Sequence, residues 1–202
     1  MLQTQTVVPK LMELLKSIMR EPLFENYFLV GGTALALQIG HRNSIDIDLF
    51  GHCEINQNEY IEILKSFGDV VVTTSSKNIL IAKINEVKVD FVNYNYPLLD
   101  TPIEIEGIRM LSKVDIAAMK LNAIAGRGSK KDFIDLYFLM NYFTLREMLD
   151  YYNQKYANGS EFLVCKSLTY FDDADEQLDV KMYQELDWGE CKQKIIDEVI
   201  KL

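Results

Sequence analysis

Apolar positions recur at helical spacing in residues 7–20, where Leu11, Leu14, Leu15 and Met19 form one stripe and Pro9 suits the first turn. The period then changes. Phe28-Leu29-Val30 is a short strand-like run that stops at Gly31-Gly32, residues 34–39 read as a helix capped by Thr33, and a second strand carries Asp46 and Asp48. Residues 56–67 are amphipathic, with Tyr60, Ile61, Leu64 and Phe67 on one side and Gly68 as the stop. Three runs at 69–74, 78–84 and 87–93 alternate like strands, the last two joined by a tight Asn85-Glu86 connection. Residues 103–108 predict one more short edge strand. The first hundred residues thus predict a mixed sheet of about five strands with two or three helices, an α+β architecture with an α/β-type core.

From Ser112 onward the pattern is helical. Ser112 and Asp115 resemble a capping box that opens a helix to about Ala125. Gly126-Arg127-Gly128-Ser129 is a basic turn, and residues 131–142 place Phe133, Leu136, Tyr137 and Met140 at helical spacing. Further helices are expected at 145–156, 160–168 and 192–202, with Trp188 as a core anchor. The acidic stretch 172–176 lacks the glycine and distal glutamate of a calcium loop and reads as a solvated loop. The chain divides on this reading into residues 1–108, the sheet core, and 109–202, the helical half.

Candidate chemistry sits at 28–50. Adjacent glycines permit positive φ and close approach to a ligand, and a helix that starts there offers free N–H groups to phosphate. Asp46 and Asp48, two apart on a strand, share a face. Two carboxylates side by side call for a cation, and Mg²⁺ (or Mn²⁺), usually shared with substrate phosphates, is the economical choice. Asp90 is a third acid if its strand lies alongside. Three carboxylates and a phosphate turn suit metal-assisted phosphoryl or nucleotidyl transfer. His41 stays open between a plain loop residue and part of the site, and His52 reads as structural or exposed.

Charge adds one qualification. The net charge of −9 argues against general attraction to nucleic acid, yet residues 109–131 carry Arg109, Lys113, Lys120, Arg127, Lys130 and Lys131 against Asp115 alone. A basic surface facing a phosphate-bearing substrate and an ordinary solvated face both fit. Cys53, Cys165 and Cys191 show no metal spacing, no apolar run reaches the roughly 20 residues of a membrane span, and no signal peptide is evident. A cytoplasmic protein with no membrane partner is expected.

The ordered set of Gly31-Gly32-Thr33, then Ser44-Ile45-Asp46-Ile47-Asp48 on a strand, resembles the DNA polymerase β nucleotidyltransferase superfamily. The fuller stretch 31–50 is closer to the AbiEii/MenT-type toxins of type IV toxin–antitoxin systems, and Lys120 and Lys131-Asp132-Phe133-Ile134-Asp135 match their later motifs. These motifs span residues 28–140. The resemblance implies a nucleotidyltransferase fold and transfer of NMP from an NTP, with RNA, such as a tRNA 3′ end, as acceptor and a separate antitoxin as partner. It also implies that Gly31, Gly32, Thr33, Arg42, Ser44, Lys120 and Lys131 serve the nucleotide. Asp46, Asp48 and Asp90 would hold metal, and Asp135 would act as general base or orient Lys120. Two alternatives stay open: an antibiotic nucleotidyltransferase, since an acidic protein suits a cationic drug, and a nucleotide-binding module without turnover.

Overall fold

The computed structural model describes all 202 residues, from Met1 to Leu202. Seven strands form one sheet: β1 (Tyr27–Leu29), β2 (Asp46–Gly51), β3 (Val70–Ser75), β4 (Ile79–Ile84), β5 (Val87–Asn93), β6 (Ile103–Ile105) and β7 (Ile108–Met110). The helices are α1 (Pro9–Arg20), α2 (Gly31–Ile39), α3 (Gln57–Lys65), α4 (Lys113–Gly126), α5 (Lys130–Leu139), α6 (Leu145–Lys155), α7 (Glu161–Ser167), α8 (Asp172–Asp175) and α9 (Trp188–Ile200). The chain splits into two compact units. The first comprises Met1–Asn95 and Pro102–Leu111, the second Tyr96–Thr101 and Ser112–Leu202.

The first unit holds the sheet, in the order β3-β4-β5-β2-β1-β7-β6. β2 runs parallel to β5 and antiparallel to β1, while β1 meets β7 in parallel. Alternation decides the faces: Ile47 and Leu49, with Val89 and Phe91, are fully buried, whereas Asp46, Asp48, Lys88 and Asp90 are half-buried on the other side. The buried side is sealed by Leu11, Leu15 and Ile18 of α1 and by an aromatic cluster of Phe24, Tyr27, Tyr60 and Phe91, whose ring centroids lie 4.7–6.4 Å apart. Burial, first, and hydrogen bonding with Cys53 and Tyr60 push the Tyr27 hydroxyl far above the ordinary tyrosine range. It stays a neutral core phenol that accepts from the Tyr60 hydroxyl at 3.3 Å.

The expected edge strand at 103–108 is a hairpin instead, because Glu106 and Gly107 both take positive φ and turn the chain back. The boundary expected after residue 108 would cut strand β7. Arg109 explains why that strand stays with the sheet. Its guanidinium donates to three carbonyls of the first unit, Met19 at 2.8 Å, Phe24 at 3.0 Å and Tyr27 at 3.3 Å.

In the second unit, Ile116, Leu121 and Ile124 of α4 are buried with Leu136 of α5, Met148 and Leu149 of α6, and Val164 of α7. Ser112 caps α4 by accepting from the Asp115 N–H, and Thr144 with Glu147 forms a full capping box on α6, each cap contributing about 1 kcal/mol. Two expectations change. Residues 172–175 are a short helix rather than a loop, held where Asp175 accepts from Trp188 Nε1 at 2.6 Å and Lys192 at 2.9 Å. Trp188 opens α9 half-buried, its ring against Phe133 and Phe171, so it anchors from the rim and not from the centre. No helix is long and apolar enough to cross a membrane.

Candidate active site

The acid face is set by register. Parallel pairing of β2 with β5 puts Asp46 opposite Lys88 and Asp48 opposite Asp90. Positions two apart on one strand share a face, and neighbouring strands lie about 4.8 Å apart. Three carboxylates and one ammonium therefore occupy the corners of a small quadrilateral. Lys88 Nζ donates to Asp90 Oδ2 at 2.6 Å, while Asp90 Oδ1 is buried with no hydrogen-bond partner. Partial burial of Lys88 opposes its charge. The hydrogen bond to Asp90 and the fields of Asp90, Asp48 and Asp46 outweigh that and hold its pKa above the ordinary lysine value.

No three His, Cys, Asp or Glu side chains converge tightly enough to cage an ion as they stand. The donor set nonetheless fits a hard divalent cation: all three groups are carboxylates on one face, and the buried Asp90 Oδ1 has no hydrogen-bond partner, so a turn of the side chain would offer it to an ion without that oxygen giving up a bond.

Beside this face the glycine pair does two separate jobs. Gly31 has φ +66°, and a Cβ there would stand 2.8 Å from Asp48 Oδ2. A Cβ on Gly32 would stand 2.3 Å from Arg42 Nη2 and 3.5 Å from Ser44 Oγ. So one glycine lets the Asp48 carboxylate approach the start of α2, and the next admits the buried Arg42 guanidinium. Arg42 also donates to its neighbour's carbonyl, Asn43 O, at 2.8 Å.

Thr33 departs from its expected role. The helix starts at Gly31 with Val30 before it, and no side chain caps it. The Thr33 hydroxyl instead meets Ser44 Oγ at 2.8 Å and donates to the Asp46 carbonyl. That pair ties α2 to the loop that feeds Asp46 into the sheet. Gly31, Gly32, Thr33, Arg42, Ser44, Asp46, Asp48 and Asp90 are thus brought together in the first unit. His41 is fully buried in the same loop.

The second unit holds a cluster of its own. Lys120, 5 % exposed, lies 2.9 Å from Asp132 Oδ1 and 2.5 Å from Asp135 Oδ2, and neither carboxylate has any exposed side-chain surface. Asp132 also accepts from Arg127 Nε at 2.8 Å, Arg127 Nη2 at 3.0 Å and Ser129 Oγ at 2.5 Å. Burial works against the charge of Asp132. Lys120, Arg127 and Ser129 overturn that and hold the carboxyl well below the usual range. Asp135 is likewise buried and paired with Lys120. Lys131, one residue before Asp132, is exposed.

The basic stretch 109–131 is only partly an open cationic surface. Arg109 is spent on carbonyls, Lys120 is buried against Asp132 and Lys130 is buried against Asp179 at 2.6 Å, whereas Arg127 pairs with Asp132 from an exposed position, Lys113 is half-buried and Lys131 is exposed. One residue escaped the sequence reading: Lys88, whose only signal is its place two positions before Asp90 on the same strand.

The fold is that of nucleotidyltransferases of known structure. The chain superposes on a crystal structure from H. pylori assigned as a nucleotidyltransferase (TM-score 0.62, 20 % identity, 95 % of this chain and 91 % of that one). It also superposes on MenT4, a nucleotidyltransferase toxin from Mycobacterium tuberculosis H37Rv (TM-score 0.60, 14 % identity, 96 % and 83 %). The family model described as Nucleotidyl transferase AbiEii toxin, Type IV TA system, matches residues 13–106 and 81–201. The chain belongs to the AbiEii nucleotidyltransferase toxin family. An uncharacterized protein of Aquifex aeolicus (strain VF5) is 37 % identical over 181 residues, 86 % of this chain and 88 % of that protein.

Proposed function

We propose that this enzyme transfers the NMP moiety of an NTP to an RNA hydroxyl, with the 3′ end of tRNA as the acceptor, and acts as a toxin restrained by a separate antitoxin protein. The observation that carries the reading is the register of Asp48 with Asp90, beside Asp46 and against Gly31. The N–H groups at the start of α2 suit a phosphate chain, and the buried Arg42, with the hydroxyls of Thr33 and Ser44, adds charge and donors there. Asp46, Asp48 and Asp90 would hold Mg²⁺ (or Mn²⁺), which when bound supplies neutralisation of triphosphate charge.

In the reaction the acceptor oxygen bonds to the α-phosphorus, the bond to the β-phosphate oxygen breaks, and pyrophosphate leaves. The acceptor proton passes to a carboxylate, for which Asp90 is the candidate. Lys120, held by Asp132 and Asp135, and the exposed Lys131 take their assignment to the nucleotide from the family resemblance. Asp135 is assigned to positioning Lys120. A cytoplasmic site of action agrees with three free cysteines.

The test is label transfer. Protein, Mg²⁺ and each α-³²P NTP would be incubated with total bacterial RNA, with an aminoglycoside or lincosamide, or with protein alone, beside Asp48→Ala. A labelled tRNA band that disappears in the variant supports the proposal and identifies the nucleotide. Label on the drug alone would move the enzyme to antibiotic modification. NTP binding without any transfer would make it a binding module.

A further inference from the structure

Lys88 occupies an unusual place for a residue without an assigned role. It stands opposite Asp46 in the parallel register and two positions before Asp90 on the same strand, and its ammonium lies 2.6 Å from Asp90 Oδ2. Its side chain is 40 % exposed and that of Asp90 only 15 %. The other Asp90 oxygen is buried and has no hydrogen-bond partner. So Asp90 has one oxygen engaged by an ammonium and the other turned from solvent. An arriving ion must take Oδ2 from Lys88 or make the side chain turn. Lys83 pairs in register with Lys88 from β4 and is exposed, which adds positive charge on the same side of the sheet.

Building on the metal-carboxylate reading above, we propose that Lys88 is the resident counter-ion of the acid face: it offsets one of the three carboxylate charges without nucleotide and opposes capture of a divalent ion that arrives without a triphosphate. A carboxylate cluster with no internal cation would bind free divalent ions indiscriminately. With Lys88 in place, the face carries three negative charges and one positive. A bound triphosphate offers the lysine another anionic partner and frees Asp90. Ion and nucleotide then enter as a couple. Lys88 is in this sense a positioning residue for the cation site.

The experiment is Mn²⁺ titration followed by electron paramagnetic resonance of the free ion, with circular dichroism to confirm folding. Wild type, Lys88→Met, Lys88→Arg and Asp48→Asn are compared, with and without a non-hydrolysable NTP analogue. The inference predicts that Lys88→Met binds Mn²⁺ alone about fivefold more tightly, the scale of one half-exposed ion pair. It also predicts that Lys88→Arg behaves as wild type and that the analogue tightens Mn²⁺ binding more in wild type than in Lys88→Met. Equal or weaker binding by Lys88→Met, with Asp48→Asn losing the ion, would overturn the inference and leave the metal reading standing. No Mn²⁺ binding by wild type or Lys88→Met, with or without the analogue, would overturn the metal reading itself.

Discussion

Lys120→Met keeps most of the side-chain volume and removes the ammonium that lies 2.9 Å from Asp132 and 2.5 Å from Asp135. Asp132 retains Arg127 and Ser129. Asp135 loses its lysine while its side chain stays fully buried. Removing one partner of a buried ion pair costs about 3–5 kcal/mol. A ceiling applies, because the variant can take up a proton. Neutralising an aspartate of ordinary pKa near 3.9 at pH 7 costs about 4 kcal/mol, at roughly 1.4 kcal/mol per pH unit. The expected destabilisation is therefore about 3–4 kcal/mol at pH 7, falling to about 1.5 kcal/mol at pH 5.

The sign follows from linkage. A carboxyl that is protonated more readily folded than unfolded costs stability above its unfolded pKa, so the variant recovers as pH falls. Urea unfolding of both proteins at pH 7, 6 and 5 gives the comparison, and adding Asp135→Asn to the variant should restore most of the loss at pH 7. A gap below about 1 kcal/mol at pH 7, less than one buried ion pair should cost, or one that does not change with pH, would refute the reasoning.

Asp132→Asn tests the same cluster from the acid side. The folded carboxyl is held below its unfolded value, so its contribution is complete above about pH 4–5 and is lost as pH falls further. The stability difference between wild type and this variant should narrow below that window in urea titrations; a constant difference would contradict the pairing. Gly31→Ala places a Cβ at φ +66° and 2.8 Å from Asp48 Oδ2, and should cost about 1–2 kcal/mol through the left-handed backbone alone. Gly32→Ala pushes on Arg42 at 2.3 Å, and should raise the KM for NTP in steady-state transfer while lowering the melting temperature only modestly. Lys155→Met removes a fully buried ammonium bonded to Asp115 at 2.7 Å and to the Pro97 carbonyl at 2.6 Å. Since Asp115 also accepts from the N–H groups of Leu99 and Asp100, limited proteolysis should cut residues 96–101 faster in this variant, and unchanged cleavage would refute that clamp.

The shared face of Asp46 and Asp48 was legible because a strand has a period of two whatever surrounds it. The same rule made β5 readable at 87–93, with its bounds correct. Strand order was not readable: that β5 lies against β2 in parallel, in the register that sets Asp90 opposite Asp48, depends on how β3, β4 and β5 turn back across the sheet. Thr33 looked like a cap because threonine before a helix commonly is one. Its hydroxyl found Ser44, eleven residues away, and tertiary contact overrode the local preference. The basic run 109–131 misled for a related reason. Charge along a sequence does not say which cations point inward: Lys120 met Asp132, just past the run, and Lys130 and Arg109 each met an anion or carbonyl brought by a distant segment. Lys88 was hidden by its position inside an alternating strand, where a lysine reads as a solvent-facing residue until its cross-strand neighbour is known.

The acid face is the centre of this account, and single-turnover transfer addresses it most directly. Enzyme in excess over α-labelled NTP would be mixed with the acceptor RNA and Mg²⁺, and the rate for wild type compared with Asp48→Asn and Asp90→Asn after both are shown to fold. The account predicts that each variant loses about a hundredfold to a thousandfold in rate, the scale of removing one preorganised charge from a transfer site. Transfer by Asp48→Asn at close to the wild-type rate would contradict it.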